Sequence, residues 1–104
     1  MREICLVRLD TTRPALVLTR DVVHGATTKV TVAPIATTVK GLSSALRVGP
    51  DNGLDHDCAV ALDNVLTVPA SLLGRTVGYL TAEQEVLLAR AVVLAYDLEV
   101  PLLA

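Results

Sequence analysis

Hydroxyl and cationic side chains gather at the ends of two early apolar segments of this 104-residue chain. They are Thr11, Thr12, Arg13, Thr37, Thr38 and Lys40, with Ser43 and Ser44 just beyond. Arginine offers a planar fork of N–H donors that suits a phosphate, and hydroxyl groups add further hydrogen bonds. Such a group could bind a phosphate and stabilise the charge that develops on it. Threonine is also an ordinary strand residue, so a purely structural role fits the same pattern.

The other reactive side chains predict less chemistry. The run Asp55–Cys58 (Asp-His-Asp-Cys) has the composition of a metal site, but neighbouring strand side chains point to opposite faces. His24 stands beside Gly25 without a nearby carboxylate or nucleophile in sequence, which is typical of a solvated loop histidine. Cys5 and Cys58 lack zinc or redox spacing and are predicted to be buried free thiols. We therefore expect no metal and no cofactor.

Composition predicts one compact domain over residues 1–104. Hydrophobic residues make up 52% of the chain and charged residues 19%, which excludes a disordered tail. Trp and Phe are absent, so the core must be aliphatic and few side chains can stack on nucleobases. We expect a cytoplasmic protein, because the chain shows neither a signal peptide nor an apolar run long enough to cross a membrane.

Charge is unevenly distributed along the chain. Residues 1–50 carry seven Lys or Arg and three Asp or Glu, whereas residues 51–104 carry two and eight. This asymmetry fits one face for a polyanion and another for a different partner. Two solvated faces of unlike sign would give the same pattern.

Short apolar runs separated by Gly, Pro, Asn and Asp predict β-structure over the first two thirds of the chain. The predicted strands are Ile4–Leu9, Ala15–Arg20, Lys29–Val39, Ala45–Val48, Cys58–Val68 and Thr76–Leu80. The short polar connection between the first two predicts antiparallel neighbours, and Gly49–Gly53 predicts a second turn.

The last third of the chain predicts a helix. Thr81 and Gln84 have capping-box spacing, and Pro101 is expected to end the helix. An apolar stripe at helical spacing is predicted to face the core: Leu87, Ala91, Leu94 and Leu98. Six short strands with one C-terminal helix predict a mainly β fold, a small closed or nearly closed barrel.

Four segments carry a specific order of motifs. Arg13–Thr19 reads R-P-A-L-V-L-T, and Val32–Leu42 reads V-A-P-I-A-T-T-V-K-G-L. The segments Leu62–Val65 and Leu73–Leu80 follow, ahead of the helix. This series resembles the MazF/PemK family of mRNA-interferase toxins over essentially the whole chain, and it looks most like the short-looped mycobacterial and actinobacterial members.

The resemblance implies an SH3-like small barrel of the MazF/CcdB type that acts as a homodimer. It also implies a metal-independent endoribonuclease of a type II toxin-antitoxin system, which needs no cofactor. In such an enzyme a ribose 2′-hydroxyl attacks the adjacent phosphate and leaves 2′,3′-cyclic phosphate and 5′-hydroxyl ends. The implied partners are single-stranded RNA, whether mRNA, rRNA or tRNA, and a MazE-like antitoxin.

The resemblance also implies roles for individual residues. Arg13 falls on the catalytic arginine of the family, where it would stabilise the scissile phosphate. Thr12 and Lys40 are implied RNA contacts, and Lys40 matches the lysine ahead of the family glycine. Asp63 and Asn64 match a polar pair that contacts bases or the second subunit. A turn or a bulge explains that pair equally well.

One position departs from the family pattern. The catalytic threonine of the family falls on Ala36 in this chain, and Thr37 follows one residue later. Because strand side chains alternate between faces, Thr37 can replace it only if a bulge shifts the register. We therefore expect weakened cleavage; an engineered substitution and a naturally weakened member both explain the alanine.

Two non-enzymatic readings remain open. Toxins of the CcdB type poison gyrase and share this fold without using RNA, and a pure antitoxin-binding module is a further alternative. Arg13 and the Pro34–Gly41 motif favour the ribonuclease, because gyrase poisoning needs no phosphate-binding arginine at that place.

Overall fold

The computed structural model describes residues 2–19, 29–36 and 45–96. These ranges contain seven strands and one helix. The strands are β1 (Glu3–Arg8), β2 (Thr12–Val17), β3 (Lys29–Ala36), β4 (Ala45–Val48), β5 (Cys58–Ala61), β6 (Leu66–Pro69) and β7 (Leu73–Tyr79). The helix, α1, spans Ala82–Ala95. The predicted fold class, mainly β with a C-terminal helix, is confirmed.

All seven strands form one curled antiparallel sheet. Its order is β4-β5-β3-β2-β1-β7, and β6 pairs with β3 beside β5. Strand β3 pairs along one edge with β2 and along the other with β6 and then β5. A strand that changes partners in this way makes the sheet turn a corner, which produces a half-barrel.

Apolar side chains fill the space on both faces of this sheet. The face under the helix holds Ile4, Leu16, Ile35, Leu46 and Val60 together with Leu88 and Ala91. The other face holds Val7, Val17, Val30, Val32 and Val68. Because β1, β2 and β3 contribute to both cores, their sequences are nearly continuously apolar rather than alternating.

One predicted strand proved wrong in its extent. The range Cys58–Val68 is broken into β5 and β6 by a 3-10 turn, Leu62–Asn64. Val60 pairs with Ile35, so the same register carries Ala61 to Pro34, which has no N–H to donate. The ladder stops there and resumes where Leu66 pairs with Val32. The predicted strands Ile4–Leu9, Ala15–Arg20 and Thr76–Leu80 differ from the observed strands at their ends, and Ala45–Val48 agrees fully. The prediction Lys29–Val39 agrees over Lys29–Ala36, and its last three residues, like Arg20, lie outside the described residues.

The helix start is confirmed, and of the predicted core residues Ala91 is buried as expected but Leu87 and Leu94 are not. The hydroxyl of Thr81 accepts from the Gln84 N–H at 3.1 Å, and the Gln84 side chain accepts from the Thr81 N–H at 3.0 Å. Leu87 and Leu94 are 49% and 58% exposed, whereas Leu88 and Ala91 are buried. Predicted positions Leu98 and Pro101 lie outside the described residues.

A buried pair of amide side chains explains that rotation of the helix. Asn52, 1% exposed, donates from Nδ2 to Gln84 Oε1 at 2.6 Å and accepts at Oδ1 from Gln84 Nε2 at 3.1 Å. It also accepts from the Gly49 N–H and donates to the Tyr79 carbonyl. Gln84 therefore faces the sheet, and the residues one and two turns later, Leu88 and Ala91, face it too.

The turn that carries Asn52 packs directly on the backbone of β7. Gly53 has a φ of 85°, and a Cβ there would lie 2.2 Å from the Val77 carbonyl oxygen. A Cβ at Gly78 would lie 1.9 Å from the Asn52 carbonyl oxygen. Both positions therefore require glycine, and the predicted turn at Gly49–Gly53 is confirmed.

We expect Asn52→Ala to lower the free energy of unfolding by about 2–3 kcal/mol, because it leaves several buried polar groups without partners. Urea denaturation monitored by circular dichroism measures the loss. Asp51→Ala is the control, since Asp51 is the exposed neighbour in the same turn. Equal stability of the two variants would contradict the role assigned to Asn52.

Candidate functional site

Arg13 lies exposed at the start of β2, just after the β1–β2 turn. The hairpin register pairs it with Val7, and residues 9–11 close the turn. The Asp10 carboxylate accepts from the Thr11 N–H at 2.9 Å, which holds the turn. Arg13 Nη2 donates to Thr11 Oγ1 at a long 3.3 Å. Among the described residues, most of the guanidinium N–H groups therefore have no partner and can bind an anion.

Ala36 lies at the end of β3, on the same face as Arg13. Ala15 pairs with Pro34, Leu16 with Ala33 and Val17 with Val32. Two further residues in this register would place Arg13 opposite Ala36, and opposite residues of a ladder point to one face. Ala36 is exposed and offers only a methyl group there. Extended by two residues, this register therefore places Arg13 and Ala36, which are distant in sequence, on one face of the sheet.

Thr12 is exposed but lies on the other face of the hairpin. It pairs with Arg8 and is adjacent to Arg13 along the strand, so the two side chains diverge. The structure therefore does not bring Thr12 and Arg13 together on one surface. Thr37 and Lys40, the other predicted site residues in this region, lie outside the described residues.

Asp63 and Asn64 lie in the 3-10 turn that interrupts β5 and β6. Both side chains are exposed, and the preceding Leu62 is buried in the core under the helix. The Tyr96 hydroxyl, at the end of α1, donates to the Leu62 carbonyl at 2.5 Å. This bond fastens the turn to the helix, a link that sequence reasoning missed because it joins residues 34 positions apart.

The two cysteines carry no evident chemistry, and His24 lies outside the described residues. Cys5 and Cys58 are free and buried, as predicted, and burial raises the pKa of both thiols. Nearby acidic groups raise the thiol pKa further: Glu3 at Cys5, and Asp55 and Asp57 at Cys58. Within residues 2–19, 29–36 and 45–96, no three potential metal ligands cluster, and no helix is long and apolar enough to cross a membrane.

Comparison with known proteins gives consistent matches. The family model described as "PemK-like, MazF-like toxin of type II toxin-antitoxin system" matches residues 2–95. Endoribonuclease MazF3 of Mycobacterium tuberculosis is 50% identical over 99 residues, which cover 95% of this chain and 96% of that protein. The structure of the M. tuberculosis toxin MazF-mt6 superposes with a TM-score of 0.91 at 49% identity, over 94% of this chain and 99% of that one.

A more distant structure shares the fold. It is a mycobacterial endoribonuclease in complex with its cognate antitoxin, 21% identical, with a TM-score of 0.81 over 96% of this chain and 95% of that one. The curled sheet and helix are thus retained after most side chains have changed.

We expect the folded chain to react with a thiol reagent at least about tenfold more slowly than the urea-unfolded chain. The thiolate is the reactive form, and a raised pKa reduces its fraction until the pH exceeds that raised pKa. Mass spectrometry after timed alkylation measures each cysteine separately. Rapid native labelling of Cys5 or Cys58 at neutral pH would show that burial does not protect it.

Proposed function

Because this chain belongs to the PemK-like, MazF-like toxins of type II toxin-antitoxin systems, we propose that it is an endoribonuclease toxin. It acts on single-stranded RNA in the cytoplasm, at a short sequence, and a cognate MazE-like antitoxin opposes it. The observation that carries the proposal is Arg13, an exposed and largely unpaired guanidinium at the family's catalytic position. A phosphate is the natural ligand of such a group.

The proposed reaction uses a nucleophile that the RNA itself supplies. The 2′-hydroxyl loses its proton, its oxygen bonds to the adjacent phosphorus, and the bond from phosphorus to the 5′-oxygen breaks. The leaving oxygen gains a proton, so the products are a 2′,3′-cyclic phosphate and a 5′-hydroxyl. Arg13 stabilises the extra negative charge on the phosphoryl oxygens in the transition state. No step requires a metal ion.

Ala36 weakens this reaction in the proposed scheme. A threonine there would place a hydroxyl on the face that carries Arg13, within the same cross-strand row. Losing one donor to the transition-state phosphate costs about 1.4–2.7 kcal/mol, which is about a 10- to 100-fold loss of rate. The chain is accordingly a weak ribonuclease that keeps its RNA-binding surface.

The chain is proposed to act as a homodimer. At 11.0 kDa it leaves Val86, Leu87 and Leu94 exposed along one side of α1. Apolar side chains in such a row favour a symmetric partner, because water would otherwise contact them. Sedimentation or light scattering measures the mass directly.

We expect Ala36→Thr to raise cleavage of a long unstructured RNA in EDTA by about 10- to 100-fold. Sequencing of the 5′-hydroxyl ends should then map the cuts to one short motif. The double variant Ala36→Thr with Arg13→Ala is the control for contaminating nuclease, since it lacks the charge-stabilising group. Equal cleavage by the parent and Ala36→Thr would show that position 36 does not carry the chemistry.

We expect Arg13→Ala to weaken RNA binding by about tenfold and to reduce the slope of log affinity against log salt by about 0.7. Fluorescence anisotropy of a labelled single-stranded RNA measures both. Arg75→Ala is the charge-matched control, because Arg75 is exposed on β7, which is separated from β2 by β1. If the two variants weaken RNA binding equally, Arg13 contributes only its positive charge and not a specific phosphate contact. If neither the parent nor the variants bind RNA, a CcdB-like poison is favoured.

A further inference from the structure

Arg47 shares a cross-strand row with Ala36. Ala59 on β5 pairs with Ala36 of β3 on one side and with Arg47 of β4 on the other. Neighbouring strands lie about 4.8 Å apart, so the Cα atoms of Ala36 and Arg47 are about 10 Å apart across the sheet. Nothing in the sequence connects the two residues, because the link is the pairing of β5 with both strands.

The adjacent row fixes which way these side chains point. Ile35, Val60 and Leu46 form that row, and all three are buried in the core under the helix. Since successive side chains of a strand alternate between faces, Ala36, Ala59 and Arg47 point away from that core. They occupy the face on which the β2–β3 register places Arg13.

The two arginines therefore stand at opposite ends of one row. Between Arg13 and Arg47 this row contains Ala36, which is exposed, and Ala59, which is buried at 5% exposure. Three strand spacings separate the arginine Cα atoms, about 14 Å. Both arginine side chains are exposed, so this face of the sheet offers two cationic groups to a polyanion that spans them.

Arg47 has a fixed backbone and an unpaired side chain. Its neighbours Leu46 and Val48 are buried, and its carbonyl accepts from Gln84 Nε2 at 3.4 Å. Its side chain is exposed and makes no hydrogen bond or ion pair with any residue in the described ranges. Asp51 and Asp57 border the same polar hollow as Arg47, yet neither pairs with it. An arginine positioned in this way is free to bind an external anion.

We propose that Arg47 is a second phosphate-binding residue of the RNA surface. It binds a phosphate that neighbours the scissile one, while Arg13 binds the scissile phosphate itself. Contacts to the RNA backbone position the strand and do not read its sequence, so Arg47 sets affinity and register over Ala36. This assignment rests on the proposed ribonuclease function.

The test compares Arg47→Ala, Arg47→Lys and the charge-matched control Arg75→Ala in the chain as it stands. A labelled random-sequence single-stranded RNA is titrated between about 50 and 200 mM salt. Arg47→Ala should bind about tenfold more weakly, with a salt slope smaller by about 0.7. Arg47→Lys should keep the slope but recover only part of the affinity, because lysine keeps the charge and lacks the fork. Arg75→Ala should bind as the parent does.

Cleavage in the Ala36→Thr background gives a second readout. A residue that holds a neighbouring phosphate contributes alike to substrate and transition state, so Arg47→Ala should raise KM and leave kcat nearly unchanged. Arg13→Ala should instead lower kcat. If Arg47 has a purely structural role, Arg47→Ala should lower the urea midpoint of unfolding, while the folded protein keeps the parent's dependence of RNA affinity on salt.

Three outcomes would overturn the assignment, each in a different way. If Arg47→Ala binds RNA like the parent while Arg13→Ala binds weakly, Arg47 is not a phosphate contact and the proposed function stands. If Arg47→Ala binds RNA normally but no longer has the parent's mass in light scattering, Arg47 belongs to a subunit contact. If the parent itself binds no RNA at the lowest salt, the proposed function fails and this inference fails with it.

Discussion

The hydrogen bonds between the Asn52 and Gln84 side chains hold the helix to the sheet, and the placement of most other elements depends on them. The Asn52 side-chain oxygen accepts from Gly49 and Gln84, and its amide nitrogen donates to Tyr79 and Gln84. A buried amide is tolerated only when its donors and acceptors are satisfied, so each of these contacts constrains the others. One residue pair thereby fixes the turn after β4, the end of β7 and the rotation of α1.

The candidate site depends on a second constraint, the change of partner along β3. Its first half pairs with β6 and its end pairs with β5, so the strand continues past the edge of one core and exposes Ala36. Pro34, at the point of change, cannot donate a backbone hydrogen bond, which suits the break between β5 and β6. The corner of the barrel thus sets which side chains lie on the face that carries Ala36.

Local signals predicted the parts of this structure that local contacts determine. The Thr81–Gln84 cap lies within one helical turn, and Ala45–Val48 is a short strand that a strong turn follows. The predicted core face of the helix was wrong at Leu87 and Leu94 because the stripe that faces the sheet begins with a polar residue, Gln84. A search for apolar residues at helical spacing therefore selects Leu87 and Leu94. Gln84 can face the sheet because its side chain hydrogen-bonds to Asn52, which lies 32 residues away in sequence.

The same contrast between local and long-range contacts explains which of the proposed site residues could be predicted. Arg13 was predicted as a site residue because the motif around it is contiguous, and the structure leaves its side chain exposed. Arg47 was missed although the alternation in Ala45–Val48 already turns it outward, because its place beside Ala36 depends on two separate strand pairings. The 3-10 turn at Asp63 and Asn64, which separates β5 from β6, likewise follows from the pairing of β3 with both strands. A short stretch of sequence does not contain this information.

The pairing of β1 with β7 also has a kinetic consequence. Glu3 pairs with Tyr79, and the Arg2 side chain contacts both Glu85 on the helix and the Val17 and Leu18 carbonyls. The hairpin of β1 and β2 can form early in synthesis, but its outer edge stays open until β7 has left the ribosome. Contacts so distant in sequence slow folding and leave an unpaired edge during translation. A ribosome must therefore complete most of the chain before an active fold exists, which delays the onset of toxicity by the time of synthesis itself.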